Sequence, residues 1–293
     1  MTNKSNINLR RLCFTAMLVA MALVMRLYFS VSLPVMGENG MRVGFGGIFT
    51  GLSAILFGPL WGSIAGGLTD VFGYLLRPEG AYLYHLTLTA IGAGFLRGII
   101  WVKLRNKAPS NIRKCLIAFS LILLGFGIFS LIAFAHNSIT VNFFNENYVI
   151  DTSGMLFISR FVIARSEVVA NPTNTLQTMI STFTITPIVS GALGIFLVVA
   201  DFLLSKFFSK DGKEYVNLMP IIIAMLVAAW FQNTVNTFVL RTHTFSSWQL
   251  LPIWMVWFPR IVGVTISAII HTYFVALLFN VFKKQKYLRP YLR

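Results

Sequence analysis

Asp70 has the clearest claim on chemistry in this sequence, because it stands in a helix-length apolar run, GPLWGSIAGGLTDVFGYLL, where a carboxylate is out of place. An ionised group costs several kcal/mol in a medium that cannot solvate it, so Asp70 needs a partner or a cavity. Two readings follow: an ion pair with Arg26 or a cap on a nearby loop, or a hydrogen-bonding group in a ligand pocket. Other polar groups stand at a similar depth in separate apolar runs. They are Arg26 and Arg42, then Tyr82, Tyr84 and His85, then Asn233 and Asn236 in FQNTVNTFVL, and Arg260 after WMVWFP. Taken singly, Arg42 and Arg260 could snorkel to headgroups and Tyr82 could sit in an interfacial belt. Taken together, they suit a flat, anionic, heteroaromatic solute. Aromatic walls stack on its ring, and guanidinium forks hold its carboxylates. Arg97, farther along its run, is expected to snorkel or to face a partner subunit.

The chemistry the sequence lacks narrows the field. It contains neither a G-x-x-x-x-G-K-[ST] loop nor H-E-x-x-H, so ATP binding by that loop and zinc proteolysis are not expected. Four histidines and two scattered cysteines, Cys13 and Cys115, offer poor metal ligation and no disulfide framework. Ser53 and His271 could be nominated as a membrane-protease dyad, but their expected depths differ. No catalytic residue, metal or cofactor is assigned, and no enzyme is expected.

The elements that must position these residues are membrane helices. Hydrophobic residues make up 56% of the chain and charged ones 11%, against about a quarter charged in soluble domains. Apolar segments fall at 11–33, 43–57, 59–76, 81–102, 115–136, 178–205, 216–240 and 253–281. Several are long enough to span a bilayer. The net charge of +15 is concentrated in short blocks before the first segment, between the fourth and fifth, after the sixth and after the last. Nucleic acid would instead select a basic face. With eight crossings every basic block lies on one side, so the positive-inside rule puts both termini in the cytoplasm. The opening NLRRLCFTAMLVAMALV has the look of a secretion signal, but its apolar stretch runs on through Arg26 to YFSVSLP. A retained first helix is expected. The loops at 34–42, 77–80, 137–177 and 241–252 then face outward.

Glycine supplies the packing logic. Gly58, Gly62 and Gly66 recur at every fourth position, and Gly47 with Gly51 and Gly94 with Gly98 repeat the spacing. In lipid no hydrophobic drive joins helices, so association depends on the close backbone approach such stripes allow. Asp70, about forty degrees round from Gly66, should point into the bundle. Pro59 suits the first turn of a helix after a tight hairpin at FGPLWG.

Residues 41–98 carry a resemblance. Arg42-Val-Gly-Phe-Gly, Phe57-Gly-Pro-Leu-Trp-Gly, Asp70-Val-Phe-Gly and Pro78-Glu-Gly-Ala-Tyr82, with MRLYFSV at 25–31 and NTVNTFVL at 233–240, resemble the substrate-binding S components of energy-coupling factor (ECF) vitamin transporters, most of all the folate-specific ones. The resemblance implies an all-α, polytopic membrane bundle with a six-helix core. Residues 1–104 and 215–293 would form that core, and 105–214 an inserted helix pair with the external loop 137–177, giving about eight crossings. It also implies uptake of a water-soluble vitamin, folate before others, in a bacterial cell membrane, with a transmembrane T component and two ATPases as partners. Ala16 and Ala20 would lie on the surface that docks the T component. Arg26, Arg42 and Arg260 would take glutamyl carboxylates, Asp70, Asn233 and Asn236 the pterin edge, and Tyr82 and His85 the ring or rim. The alternatives are an S component for another vitamin and a stand-alone secondary transporter.

Overall fold

The computed structural model describes residues 2–35, 38–78, 80–107, 109–136, 172–210, 218–249 and 253–284. Most of the expected loop 137–177 lies outside them. In chain order the elements are α1 (Thr2–Tyr28), β1 (Ser30–Val35), β2 (Glu38–Gly44), α2 (Gly46–Phe57), α3 (Pro59–Leu76), α4 (Tyr84–Leu104), α5 (Pro109–His136), α6 (Pro172–Lys210), α7 (Leu218–His243), the single turn α8 (Ser246–Gln249) and α9 (Ile253–Lys284). Among the described residues, the eight helices of 12 residues or more fall on the eight apolar segments. Five of them, α1, α4, α5, α7 and α9, are long and apolar enough to cross a membrane, while α2 and the Pro187–Leu203 part of α6 are shorter apolar helices.

The short α2 is the axis of the molecule. All ten residues from Ile48 to Phe57 are buried, as expected of a helix that is hydrophobic all round. It packs against α1, α3, α4 and α9, with α4 on α7 and α7 on α9 completing the surround. Leu52 and Ile55 of α2 meet Met219, Ile222 and Met225 of α7 and Val275 of α9 in the core. The outer faces are apolar too: Leu121 and Ile122 of α5, Leu75 of α3 and Leu277 of α9 are all exposed. Such a surface calls for lipid rather than water.

The glycine stripe works between α3 and α4. A Cβ on Gly62 would lie 2.6 Å from both the Ala54 side chain and the Gly94 carbonyl oxygen. Gly66 likewise faces the Ala90 backbone, and Gly98 faces Pro59. Gly58 does not belong to the stripe. It has a φ of 95° and nothing near its missing side chain, because it makes the turn from α2 into Pro59 at the head of α3. Gly47 and Gly51 serve other neighbours, His271 and Met225.

Residues 30–44 form a hairpin, where an extension of the first apolar run and then a loop were expected. The pairing is antiparallel, with Ser30 opposite Gly44, Ser32 opposite Arg42 and Leu33 opposite Met41, and it slips between Leu33 and Val35. Pro34 stands at the slip and has no N–H to donate. The alternation of SVSLPV was hidden because it continues an apolar run without a break, where period alone cannot separate helix from strand. Arg42 is therefore on a strand and does not begin a helix.

The pair α5 and α6 pack on each other and reach α7 and α9 at their edges. An ion pair between the half-buried Arg113 and the buried Asp201 fastens them: Arg113 Nη2 lies 2.6 Å from Asp201 Oδ2, and Arg113 Nε donates to the same oxygen at 2.8 Å. Gly66→Leu should drive α3 from α4 and lower the stability of the detergent-solubilised protein by about 1–3 kcal/mol. Gly125→Ala, where a Cβ meets open space, should leave the melting temperature unchanged or slightly raised. Parallel thermal unfolding of the two variants checks the contrast.

Candidate functional site

The last turn of α1 brings Arg26 against α3, and the missing side chain of Gly73 makes room for its guanidinium: a Cβ there would lie 2.7 Å from Arg26 Cζ. Arg26 Nη1 donates to Asp70 Oδ1 at 3.2 Å and to the Thr69 carbonyl at 3.0 Å. The other carboxylate oxygen, Oδ2, accepts from Thr87 of α4 at 2.8 Å. Since Thr87 donates its proton there, the Tyr82 hydroxyl, 2.7 Å away, donates to Thr87. The Tyr82 ring packs on Tyr74 with centroids 5.0 Å apart. Of the two readings of Asp70, the ion pair with Arg26 is the one formed, and both carboxylate oxygens are engaged.

A second cluster lies across the same end of the bundle. Arg260, one residue past Pro259 in α9, is only 4% exposed and turns inward rather than snorkelling. Its Nη1 donates to the Gly40 carbonyl of β2, and its Nε donates to Asn233 Oδ1 of α7 at 3.2 Å. The Arg260 guanidinium carbon also lies 5.5 Å from the Trp248 ring centre. Trp248, wholly buried, fills the place a side chain on Gly40 would need. Arg241 Nε donates to the Trp248 carbonyl at 3.0 Å, and Ser247 donates to Glu38 Oε1 at 2.8 Å. The turn α8 is thereby fixed to both α7 and the hairpin. Two buried donors here, Asn233 Nδ2 and Trp248 Nε1, have no hydrogen-bond partner among the described residues.

The remaining candidates lie between and beside these clusters. Thr89 of α4 hydrogen-bonds the Asn236 side chain of α7. His85 stacks on Tyr84 with ring centres 3.9 Å apart and on His243 at 5.3 Å, closing the same α4–α7 seam. Arg42 is half-buried on β2, on the strand face it shares with Gly40. The eight candidate residues therefore gather at the hairpin end of the bundle, around two centres rather than one. Sequence reasoning missed Thr87, Thr89 and Trp248; SSWQ in a polar loop gives no sign of a buried ring.

Arg97 departs most from expectation. It is 7% exposed, inside the bundle, and its Nη1 donates to Thr50 Oγ1 of α2 at 3.3 Å. Ser53 donates to the Trp61 carbonyl at 3.2 Å, and His271 lies 3.4 Å from Ser267, so the nominated protease dyad has other partners. On α1, Ala16 and Ala20 share an exposed face with Leu12 and Met17, while Thr15, Leu18, Val19 and Ala22 turn inward.

Two curated relatives are similar in sequence to part of this chain. The chain is 30% identical over 109 residues, 37% of its length and 58% of the relative's, to "Folate transporter FolT" of Clostridium novyi (strain NT). It is 28% identical over 89 residues, 30% and 48% respectively, to "Folate transporter FolT" of Leuconostoc mesenteroides. The chain thus spans about half the length of the curated relatives it matches. No solved structure matches it. A family model described as "ECF-type riboflavin transporter, S component" matches residues 6–174. That match covers more than half of the chain and takes in the hairpin and the packed block α1 to α4. The protein belongs to the family of ECF-type riboflavin transporter S components, which are membrane transport subunits and not enzymes.

Proposed function

We propose that this protein captures folate or a reduced folate from outside the cell and delivers it inward as the binding subunit of an ECF assembly. The observation that carries this choice is the donor excess around Arg260. A buried guanidinium meets two neutral oxygens, and the Asn233 amide and Trp248 indole N–H groups beside it have no acceptor among the described residues. A buried unsatisfied donor costs about 1–3 kcal/mol, and a ligand carboxylate would offset that cost at three donors together. Arg42, on the Gly40 face of β2, is the second cation for a dicarboxylate. The network of Arg26, Asp70, Thr87 and Tyr82 forms the opposite wall, and His85 and Asn236 line the α4–α7 seam.

Both termini are assigned to the cytoplasmic side of a bacterial membrane, with the hairpin end outward. Residues 1–104 and 215–293 form the core, and 105–214 the added helix pair with its external loop. A transmembrane T component docks on the α1 face of Ala16 and Ala20, and two ATPases supply the hydrolysis that this chain has no phosphate loop to perform. A stand-alone transporter would need a carboxylate free to carry a coupled ion. Asp70 has its charge matched by Arg26, which favours the assembly. Riboflavin is the second reading, supported by the description of the matching family. Its neutral polyol gives the Arg260 cluster no anion, which is why folate is preferred.

Purification of the protein from folate-supplemented cells, followed by mass spectrometry of the released ligand, is expected to yield a pterin; a flavin instead would select the second reading. Trp248→Phe keeps a ring beside Gly40 and removes only the N–H. It should weaken folate binding about tenfold with little change in melting temperature. Ala20→Trp should leave folate affinity intact while abolishing co-purification of the T component, because a bulky residue holds two helices apart.

A further inference from the structure

Arg97 is the buried charge that no function so far uses. Its side chain is more than nine-tenths buried among α2, α4 and α9. Among the described residues its one hydrogen bond goes to a neutral hydroxyl, Thr50 Oγ1, and its Nε has no partner. No carboxylate pairs with it among the described residues. His271 fills the space beside Gly47 and lies within interaction range of Arg97. The N-terminus of α2 opens at Gly46 with no side-chain cap, so its first N–H groups present partial positive charge at the same place. A cation this deep in a membrane bundle is expensive unless it meets an acceptor.

We propose that Arg97, with Thr50 and His271, forms a floor subsite that takes the carbonyl–imine edge of a pteridine ring. A pterin carries an exocyclic carbonyl oxygen, O4, next to a ring nitrogen, N5, and both accept hydrogen bonds. A flavin carries the same pair. A guanidinium fork matches two adjacent acceptors on a flat ring, as it does on the O6 and N7 edge of guanine. Eleven residues of α9 separate Arg260 from His271, a rise of about 16 Å. That span is comparable to an extended pteroyl-glutamate, with its carboxylates at Arg260 and its ring at Arg97. A carboxylate at Arg97 is disfavoured, because the whole anionic end would then have to pass through the apolar interior.

The inference rests on the vitamin-binding reading but not on which vitamin is bound. Its test is a ligand-by-protein cycle on the detergent-solubilised full chain. Folic acid and 5-deazafolic acid, in which a C–H replaces N5, are titrated against the wild type, Arg97→Met and Arg97→Lys. The wild type should bind the deaza analogue about tenfold or more weakly. Arg97→Met should bind both ligands equally and weakly, and Arg97→Lys should fall between. The unliganded Arg97→Met protein should melt no lower than wild type, since it loses a buried charge without a counter-ion. An unchanged deaza penalty in Arg97→Met, or a wild type that ignores the N5 replacement, overturns the subsite. If the wild type binds no folate, the folate assignment fails alone, and riboflavin with 5-deazariboflavin decides the subsite by the same ratio. Binding of neither vitamin overturns both.

Discussion

Every polar side chain inside this bundle has to find its partner in the protein, because the surrounding hydrocarbon has none to give. Helices can meet this demand only where their backbones come close enough for short side chains to reach across. The α3–α4 contact through Gly62, Gly66, Gly94 and Gly98 does this. It brings Asp70 and Thr87 to 2.8 Å, and the Arg26 guanidinium reaches the same carboxylate over Gly73. Glycine, unfavourable in a water-exposed helix, is here what lets the polar network close.

The helical architecture was legible because it rests on large, repetitive signals. Apolar runs and the blocks of basic residues between them locate the eight main helices of the described residues, and small residues at every fourth position locate the tightest contact. The hairpin at 30–44 was not legible. Its first strand continues an apolar run, and its partner strand contains Glu38, Gly40 and Arg42, which read as loop. What holds it is tertiary: Met41 packs against Gly263, Gly40 admits Trp248, and Arg260 bonds the Gly40 carbonyl. None of these partners is close to the hairpin in sequence.

The candidate site was legible as a list of residues and not as a geometry. Asp70, Arg26, Asn233 and Arg260 could be named because polar groups in apolar runs stand out. Which of them pair could not be read, since pairing depends on rotation about each helix and on the loops between them. Trp248 was invisible for a related reason: an aromatic in a polar loop is ordinary, and only burial beneath the hairpin makes it a neighbour of Arg260. Asp201 escaped notice in its apolar run because its partner, Arg113, belongs to a cluster of charges that looked like a cytoplasmic loop.

Charge balance divides four arginines into two kinds. The half-buried Arg26 and Arg113 each meet a carboxylate, at 3.2 Å and 2.6 Å, and each joins two helices. The buried Arg97 and Arg260 meet hydroxyl, amide and carbonyl oxygens but no carboxylate among the described residues. Replacing a matched pair with apolar residues is often neutral, whereas a buried charge without a counter-ion costs stability outright. Arg97, on Thr50 of α2, and Arg260, on Asn233 of α7 and Gly40 of the hairpin, are two such charges among the described residues, and a molecule that brought acceptors to them would offset that cost.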